Sequence, residues 1–232
     1  MSKPDLTIIV PVYNEERTLT SIMTAVAAKC PEAQIIYVDD GSRDRSLSIL
    51  QSGVRSQDHI LHKENGGKGS AIRMGLDQAA GTYTVIQDAD LEYDPAEIKL
   101  LLSEAKTHPG SAVFGSRFLR PNPNIYKRFL LGNKTLTFIL NLLYGSHLTD
   151  SYTCYKLLPT DMFRSLQLKA RGFELEAEIC AKCLKQGIPI REVPISYKPR
   201  TIAEGKKINV RDAWKGVKMM WSVRVKPSMI AS

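Results

Sequence analysis

Two carboxylates, Asp88 and Asp90, form the pair in this sequence whose spacing most directly suggests chemistry. They follow the apolar run at 83–87, and residues spaced i and i+2 at a strand end point to the same side. Two carboxylates on one edge repel each other unless a cation joins them. Mg²⁺ and Mn²⁺ prefer oxygen ligands and keep positions open for phosphate oxygens, and nearby Glu92 could supply a further ligand. The pair therefore predicts a divalent-metal site for a phosphorylated substrate, with a solvated pair of loop acids as the alternative.

Four other polar clusters follow predicted strands in the same way. Their sequences are PVYNE at 11–15, DDGS at 39–42, NGGKG at 65–69 and GSR at 115–117. Asp39 and Asp40 stand where acids commonly accept hydrogen bonds from the base or ribose of a nucleotide. Helix capping by Ser42 or Asp44 is the alternative. The glycine run is similar to a phosphate loop but lacks the P-loop spacing, so its glycines could serve only to turn the backbone.

The elements that must position these clusters alternate between strands and helices. The apolar and amphipathic runs predict strands at 6–12, 34–38, 59–62, 83–87 and 111–115, and helices at 15–28, 45–50, 69–80 and 95–107. Such alternation implies an α/β protein with a mostly parallel central sheet flanked by helices. Ligands bind at the carboxyl ends of the strands in such sheets, so all five clusters are expected to converge on one edge.

After the fifth cluster the alternation loosens. The pattern predicts a loop at 121–124, a basic and apolar segment at 126–144, a helix at 173–186, a strand at 191–197 and an amphipathic helix at 212–225. Trp214, Val217 and Trp221 lie on one side of that last helix. The apolar stretch 129–144 is interrupted by Lys134 and is shorter than the roughly 20 residues of a membrane span. It could lie on a membrane surface, or form a core or lid helix.

The composition is that of an ordinary globular protein, but the charge is unevenly distributed. The 232 residues are 43% hydrophobic and 24% charged, which excludes a disordered chain, a collagen-like repeat and a disulfide-stapled miniprotein. Residues 1–110 have a net charge of −5, from 11 basic and 16 acidic side chains, and residues 111–232 have +13, from 21 and 8. This asymmetry favours an anionic partner for the second half, or else a solvated basic face. Nucleic acid is not expected, because the basic stretches lack interleaved aromatics and a nucleic-acid-binding motif.

The cysteines and the amino terminus indicate a cytosolic, reduced protein. Cys180 and Cys183 form a C-x-x-C inside a predicted helix, with no second pair at zinc-ligand spacing. We therefore expect two buried thiols one helical turn apart. The chain begins without a signal-peptide pattern, which leads to the same expectation.

The ordered motifs PVYNE, DDGS, NGGKG, DAD and GSR resemble those of the family-2 glycosyltransferases with the GT-A fold. The similarity is greatest to the polyprenyl-phosphate glycosyltransferases, such as the dolichyl-phosphate mannose synthases and their glucosyl relatives. It extends over about residues 6–210 and includes RGFELEAE at 171–178 and the run at 192–207. The resemblance implies a GT-A nucleotide-diphospho-sugar transferase domain at 1–210, followed by an amphipathic helix or tail at 211–232 without a transmembrane segment.

The resemblance also implies roles for individual residues. The implied nucleotide-sugar-binding residues are Pro11, Tyr13, Glu15, Val38, Asp40, Lys68, Asp88, Ala89, Asp90, Arg200, Lys206 and Lys207. Those implied to hold the acceptor phosphate are Arg117, Lys127, Arg128 and Asn133, and the implied catalytic set is Asp88, Asp90, Arg117 and Arg128. Mg²⁺ or Mn²⁺ would be held by Asp90 and Glu92, although family members often carry Gln at the position of Glu92.

The implied reaction is an inverting transfer of a hexose, mannose or glucose, from a GDP- or UDP-sugar to dolichyl or undecaprenyl phosphate. A phosphate monoester is already largely ionised at pH 7, so no strong general base is needed. A hydroxyl of a soluble or polysaccharide acceptor would need one, and the candidates are Asp150, Glu174, Glu176 and Glu178. Many relatives are anchored by carboxy-terminal transmembrane helices. Here the protein would reach the cytoplasmic membrane face in one of two ways. Either the 126–144 segment and the 214–221 helix dock it there, or a membrane-anchored partner recruits it.

Overall fold

A seven-stranded sheet forms the centre of the computed structural model, which describes residues 3–122, 127–200 and 210–226. The strands are β1 (Leu6–Val12), β2 (Gln34–Asp39), β3 (His59–His62), β4 (Tyr83–Ile86), β5 (Ala112–Ser116), β6 (Lys156–Pro159) and β7 (Ile190–Pro194). They lie in the order β3-β2-β1-β4-β6-β5-β7. β6 is antiparallel to both of its neighbours and the other four pairings are parallel, which confirms the mostly parallel sheet.

Helices flank this sheet, some packed directly on it and others on neighbouring helices. They are α1 (Leu19–Lys29), α2 (Ser46–Gly53), α3 (Lys68–Gln78), α4 (Ile98–Thr107, after a 3-10 turn at Pro95–Glu97), α5 (Lys127–Tyr144), α6 (Thr160–Ser165), α7 (Leu175–Lys185) and α8 (Val210–Val225). On α3, Ile72 is fully buried and Leu76 nearly so. A Cβ atom at Gly75 would lie 2.7 Å from Cγ2 of Ile9, so α3 packs directly on β1. This close packing fixes the amino-terminal end of α3 beside the carboxyl ends of β1 and β2.

The predicted elements of the first half are confirmed, with small shifts in their boundaries. The largest shift is at α1, which begins at Leu19 instead of residue 15. Residues 15–18 form a turn in which the carbonyl of Glu15 accepts the N–H groups of Thr18 and Leu19. This turn leaves the Glu15 side chain at the edge of the sheet, where the site lies.

The sequence did not indicate β6 or α6. The four residues of β6, KLLP, are too short to show a period, and the strand is defined by its pairing with β4 and β5. This strand places the charged side chain of Lys156 in the interior of the protein, with no solvent exposure.

Helix α8 packs against α7 and α5 through a face of small and apolar residues. Met220 and Val223 are buried there, and Gly216 lies against the Tyr152 hydroxyl. The opposite face carries Trp214 and Trp221, with exposures of 72% and 59%. The tryptophans therefore do not contribute to the core.

The four cysteines are free thiols and all are buried, including the predicted pair one turn apart on α7. Within the described ranges, no helix has the length and apolar character needed to cross a membrane.

Candidate active site

A cavity of about 410 Å³ opens at the carboxyl ends of β1, β2 and β4. All five polar clusters contribute to its wall, which confirms their predicted convergence. The predicted residues that line it are Pro11, Tyr13, Glu15, Asp40, Lys68, Asp88, Ala89, Asp90, Glu92, Arg117, Asn133 and Arg200. Parallel strands explain the convergence, because their carboxyl ends meet at one edge of the sheet.

Asp40 holds the glycine run against this edge. Its carboxylate accepts the N–H groups of Gly66 and Gly67 at 2.9 and 2.7 Å and the ammonium group of Lys63 at 2.7 Å. Gly67 has a positive φ of 88°, and a Cβ atom there would lie 2.3 Å from the carbonyl oxygen of Arg171. The glycines are thus needed for backbone turning and close approach, which was the alternative to a phosphate loop. Asp40 lines the cavity while it organises this loop.

Asp88 is paired with a lysine from the same loop. The Lys68 ammonium nitrogen lies 2.8 Å from Oδ1 of Asp88 and 3.1 Å from Oε1 of Glu176. Burial alone would lower the pKa of Lys68, but attraction to Asp88 and Glu176 raises it well above its usual range. Lys68 therefore stays charged at neutral pH, and the Asp88 carboxylate is neutralised within the protein.

Asp90 has a different counter-ion. Nη2 of Arg200 lies 2.8 Å from Oδ2 of Asp90, and Nη1 lies 3.2 Å from Oε2 of Glu15. Burial, Asp88 and Glu92 raise the pKa of Asp90 to about 7, and the attraction of Arg200 opposes them. The DAD motif thus places two acids side by side but gives each its own cation.

Glu92 fixes the chain segment that carries Arg200. Its two carboxylate oxygens accept the Tyr197 hydroxyl and the backbone N–H of Arg200, both at 2.8 Å. Its backbone carbonyl accepts the N–H of Lys198 at 2.9 Å. These bonds tie residues 197–200 to Glu92, and Tyr197 and Arg200 line the cavity.

The carboxylates of Asp90 and Glu92 fit a Mg²⁺ or Mn²⁺ ion only if a substrate supplies further ligands. Asp90 and Glu92 are hard oxygen donors on one edge, but both currently contact Arg200 or its backbone. Across the described part of the chain, no three carboxylate, imidazole or thiol groups converge as a complete metal site. Mg²⁺ is commonly held by one or two carboxylates plus substrate phosphates, and these residues match that pattern.

Arg117 is held rigidly at the other side of the cavity. Its Nε and Nη2 atoms donate to the two oxygens of Asp150 at 2.7 and 2.8 Å, and Asp150 has no solvent exposure. The guanidinium carbon lies 5.0 Å from the centre of the Tyr197 ring. Burial works against the charge, but Asp150 raises the pKa of Arg117 well above its usual range. A buried bidentate pair keeps this cation in one geometry.

Several predicted site residues lie elsewhere or outside the described parts. Val38 is a fully buried core residue of β2 and does not line the cavity, so its predicted contact with the nucleotide sugar is not supported by its position. Its side chain packs under α3, with Cγ2 3.3 Å from where a Cβ atom at Gly75 would lie. The side chains of Lys127 and Arg128, and all of Lys206 and Lys207, fall outside the described residues.

Of the four acids considered as general bases, only Glu176 lines the cavity. Glu178 accepts the backbone N–H groups of Lys169 and Ala170. Glu174 accepts those of Arg171 and Gly172, and although burial raises its pKa, these backbone donors lower it overall. Asp150 is bound to Arg117, as described above. These three acids have structural roles.

Several residues of the cavity wall were not predicted from the sequence. Tyr152, Cys154, Phe173, Tyr197 and Ala213 line it, together with Leu136 of α5. These residues come from irregular segments and from helices that are distant in the sequence, so no period or motif connects them with the DAD edge. Most of them are aromatic or aliphatic, so they add apolar surface to a cavity that also has many charged groups.

A family model described as Glycosyl transferase family 2 matches residues 7–166. The low-salt glycan biosynthesis hexosyltransferase Agl6 of Haloferax volcanii is 26% identical over 225 residues, which cover 94% of this chain. The chain spans 53% of the length of that relative. The polyprenol monophosphomannose synthase of Mycolicibacterium smegmatis is 27% identical, with 94% of this chain and 86% of the relative covered.

The fold is also found among solved structures. The glucosyl-3-phosphoglycerate synthase of Mycobacterium tuberculosis, solved with Mn²⁺, UDP and phosphoglyceric acid, aligns with a TM-score of 0.72. The alignment covers 97% of this chain and 80% of that structure, with 17% sequence identity. Similarity at this level of identity establishes the fold alone.

Proposed function

The chain belongs to glycosyltransferase family 2 and has the GT-A fold, and on this basis we propose that it transfers a hexose from a GDP- or UDP-sugar to a polyprenyl phosphate. One observation carries the choice of acceptor. Glu176 is the only one of the four considered bases in the cavity, and both of its oxygens contact lysine ammonium groups. A hydroxyl acceptor needs a free base, whereas a phosphate arrives already ionised.

The donor occupies the end of the cavity formed by β1, β2 and β4. Tyr13 and Asp40 line the part that receives the nucleoside, and Asp90 and Arg200 the part that receives the diphosphate. Asp90, with or without Glu92, would hold Mg²⁺ or Mn²⁺, which when bound neutralises charge on the departing diphosphate. Arg200 supplies fixed positive charge for the same purpose, and Lys206 and Lys207 lie close in sequence to add more.

The acceptor phosphate lies beside Arg117 and Asn133. An oxygen of the phosphate attacks the anomeric carbon, and the bond from that carbon to the diphosphate oxygen breaks as the new bond forms on the opposite face. The anomeric configuration is inverted, and the electron pair of the broken bond leaves with the nucleoside diphosphate. The rigid Arg117–Asp150 pair aligns the anionic nucleophile, which is the main task when no proton has to be removed.

An apolar wall and two apolar stripes support a lipid acceptor. Leu136 of α5, Phe173 before α7 and Ala213 of α8 line the cavity. The exposed stripe on α5 is Leu131, Phe138 and Leu142, and that on α8 is Trp214, Trp221 and Val225. Both follow the spacing i, i+7 and i+11, so each stripe occupies one helix face. We assign these stripes to peripheral docking on the cytoplasmic face of a membrane, which would bring the lipid phosphate to the cavity.

A product assay tests the function. Purified protein with Mg²⁺ or Mn²⁺ is given labelled GDP- and UDP-hexoses, with and without polyprenyl phosphate in detergent. We expect label in the lipid phase, lost in Asp90→Ala and retained in the matched variant Asp161→Ala, whose side chain is 88% exposed on α6. Label that enters a soluble or polysaccharide acceptor instead, with no lipid product, would contradict the lipid acceptor and favour a hydroxyl one.

A further inference from the structure

The residues around Arg117 form a hydrogen-bond network that ends at a carboxylate on β7. That carboxylate is Glu192, which accepts the backbone N–H groups of Thr149 and Asp150 at 2.8 and 3.0 Å. It also accepts the Thr149 hydroxyl at 3.0 Å. The three segments meet because β5, which ends just before Arg117, pairs with both β6 and β7. Glu192 itself lies outside the cavity wall that the described residues form.

The direction of the hydroxyl hydrogens in this network follows from its end point. A carboxylate only accepts hydrogen bonds, so the Thr149 hydroxyl donates to Glu192. The Thr149 oxygen lies 2.6 Å from Oγ of Ser116, and the Ser116 hydroxyl therefore donates to it. Oγ of Ser116 in turn accepts the backbone N–H of Phe118 at 3.2 Å. The donors thus run in one direction from Phe118 through Ser116 and Thr149 to Glu192, and we call this series the hydrogen-bond chain.

The hydrogen-bond chain holds Arg117 from both of its sequence neighbours. Ser116 is fully buried, and the centre of the Phe118 ring lies 5.6 Å from the guanidinium carbon of Arg117. Asp150, whose backbone N–H is held by Glu192, accepts the backbone N–H of Arg117 at 3.1 Å as well as its Nε and Nη2 atoms. The backbone and the side chain of Arg117 therefore both depend on where Glu192 places residues 149–150.

We propose that Glu192 is a positioning residue, which fixes Thr149 and Asp150 and through them sets the guanidinium geometry that receives the acceptor phosphate. The assignment of this phosphate to Arg117 rests on the proposed function. A guanidinium binds a phosphate through paired N–H groups in a fixed orientation, so a small displacement weakens the contact. A misplacement of about 1 Å can cost on the order of a hundredfold in rate.

The donor end of the cavity is separate from this network. Among the described residues, no hydrogen bond or ion pair joins a member of the hydrogen-bond chain directly to Asp90 or Arg200. Loss of the Glu192 charge should therefore affect the two substrates unequally. The acceptor should be bound more weakly and the nucleotide as before.

Separate titrations of acceptor and nucleotide test this inference. Farnesyl phosphate, a short prenyl monophosphate, is the acceptor probe, and UDP or GDP with Mg²⁺ is the nucleotide probe. In Glu192→Gln one carboxylate oxygen is replaced by an NH₂ group, which cannot accept the N–H groups of residues 149–150. We expect the affinity for farnesyl phosphate to fall about tenfold, because a buried donor is left unpaired, and nucleotide affinity to change less than about twofold.

A double-variant cycle separates positioning from a general structural effect. Arg117→Lys keeps a positive charge for the acceptor but loses the paired N–H geometry. If Glu192 acts through Arg117, then Glu192→Gln should lower acceptor affinity much less in the Arg117→Lys background than in the wild type. A tenfold loss in both backgrounds would show that Glu192 acts independently of Arg117, and it would overturn the inference.

Two further variants make the result specific. Thr149→Val removes the hydroxyl that joins Ser116 to Glu192 but keeps the backbone N–H, so it should weaken acceptor binding alone by a smaller factor. The matched control is Glu104→Gln, which removes the partner of Arg191, the neighbour of Glu192 on β7, and it should change neither affinity. If Glu192→Gln does not fold, unchanged acceptor affinity in Thr149→Val contradicts the inference.

The outcomes also separate this inference from the function on which it rests. If the wild type neither binds a prenyl phosphate nor transfers a sugar to one, the proposed function fails before any variant is compared. If the wild type binds and transfers, but Glu192→Gln weakens acceptor and nucleotide equally, or weakens neither, the positioning role of Glu192 is wrong.

Discussion

Asp88 and Asp90 have the same residue type and adjacent places in one motif, yet their surroundings differ. Asp88 contacts Lys68, which is fixed to Glu176, whereas Asp90 contacts Arg200, which comes from the segment after β7. Their spacing predicted that both carboxylates lie at one edge of the sheet and repel each other. It could not predict which cation pairs with each acid, because Lys68 and Arg200 come from distant parts of the chain.

The raised pKa of Asp90 has a measurable consequence for stability. An acid whose pKa rises from 3.8 in the unfolded chain to about 7 in the folded protein binds its proton more tightly when folded. Its contribution to the free energy of unfolding is therefore complete below about pH 4 and is lost as the pH rises to about 7. In Asp90→Asn this loss is absent, so we expect the variant to gain stability relative to the wild type between pH 4 and 8, on the order of 2 kcal/mol.

Thermal or urea unfolding at several pH values, without metal or nucleotide, measures this difference. Asp161→Asn, at an exposed position on α6, provides the baseline for removing one carboxylate. A difference between Asp90→Asn and wild type that stays flat or shrinks with rising pH would show that Arg200 outweighs burial and the neighbouring acids.

At the scale of elements, one close contact sets how near α8 comes to Tyr152. A Cβ atom at Gly216 would lie 1.7 Å from the Tyr152 hydroxyl oxygen, so only glycine allows α8 to approach this closely. The contact also brings Ala213 to the cavity wall. The sequence predicted an amphipathic helix here, but it gave no indication that Gly216 would contact Tyr152. Tyr152 lies 64 residues earlier, in an irregular segment.

Replacement of Gly216 by alanine tests this contact. Gly→Ala in a helix ordinarily stabilises by about 0.5–1 kcal/mol, but here overpacking should destabilise by about 1–3 kcal/mol. Gly132→Ala on α5, where a Cβ atom meets nothing within 4 Å, should show the ordinary gain. Because Tyr152→Phe removes the clashing oxygen, the double variant should recover most of the loss in urea unfolding. A stabilised Gly216→Ala protein would show that α8 is not held at this distance.

At the scale of the whole molecule, exposed basic side chains and one of the two exposed apolar stripes occur together on α8. The helix carries Arg211, Lys215, Lys218 and Arg224 at exposed positions around its tryptophans. Basic groups around exposed aromatic residues favour a surface with negative charge and an apolar interior, as an anionic membrane provides.

Vesicle flotation measures this docking. We expect binding to vesicles with anionic lipids, weaker binding to neutral vesicles, and a decrease with salt because surface charges are screened. Phe138→Ser and Trp221→Ser should each weaken binding several-fold. Leu100→Ser, at a 43% exposed position on α4, should not. Equal binding by all three variants would contradict docking through the two stripes.

The sequence by itself determined the alternating core of this protein and the edge at which chemistry occurs. Continuous apolar strands bury on both faces wherever they pair, and parallel pairing brings their following loops together, so PVYNE, DDGS and DAD converge without further information. Only the tertiary structure decided which charges meet. The pairing of Lys68 with Glu176, of Arg200 with Asp90 and of Arg117 with Asp150 joins segments separated by 108, 110 and 33 residues. Such contacts depend on the three-dimensional path of the chain, and local propensity and periodicity describe only neighbours within a few residues.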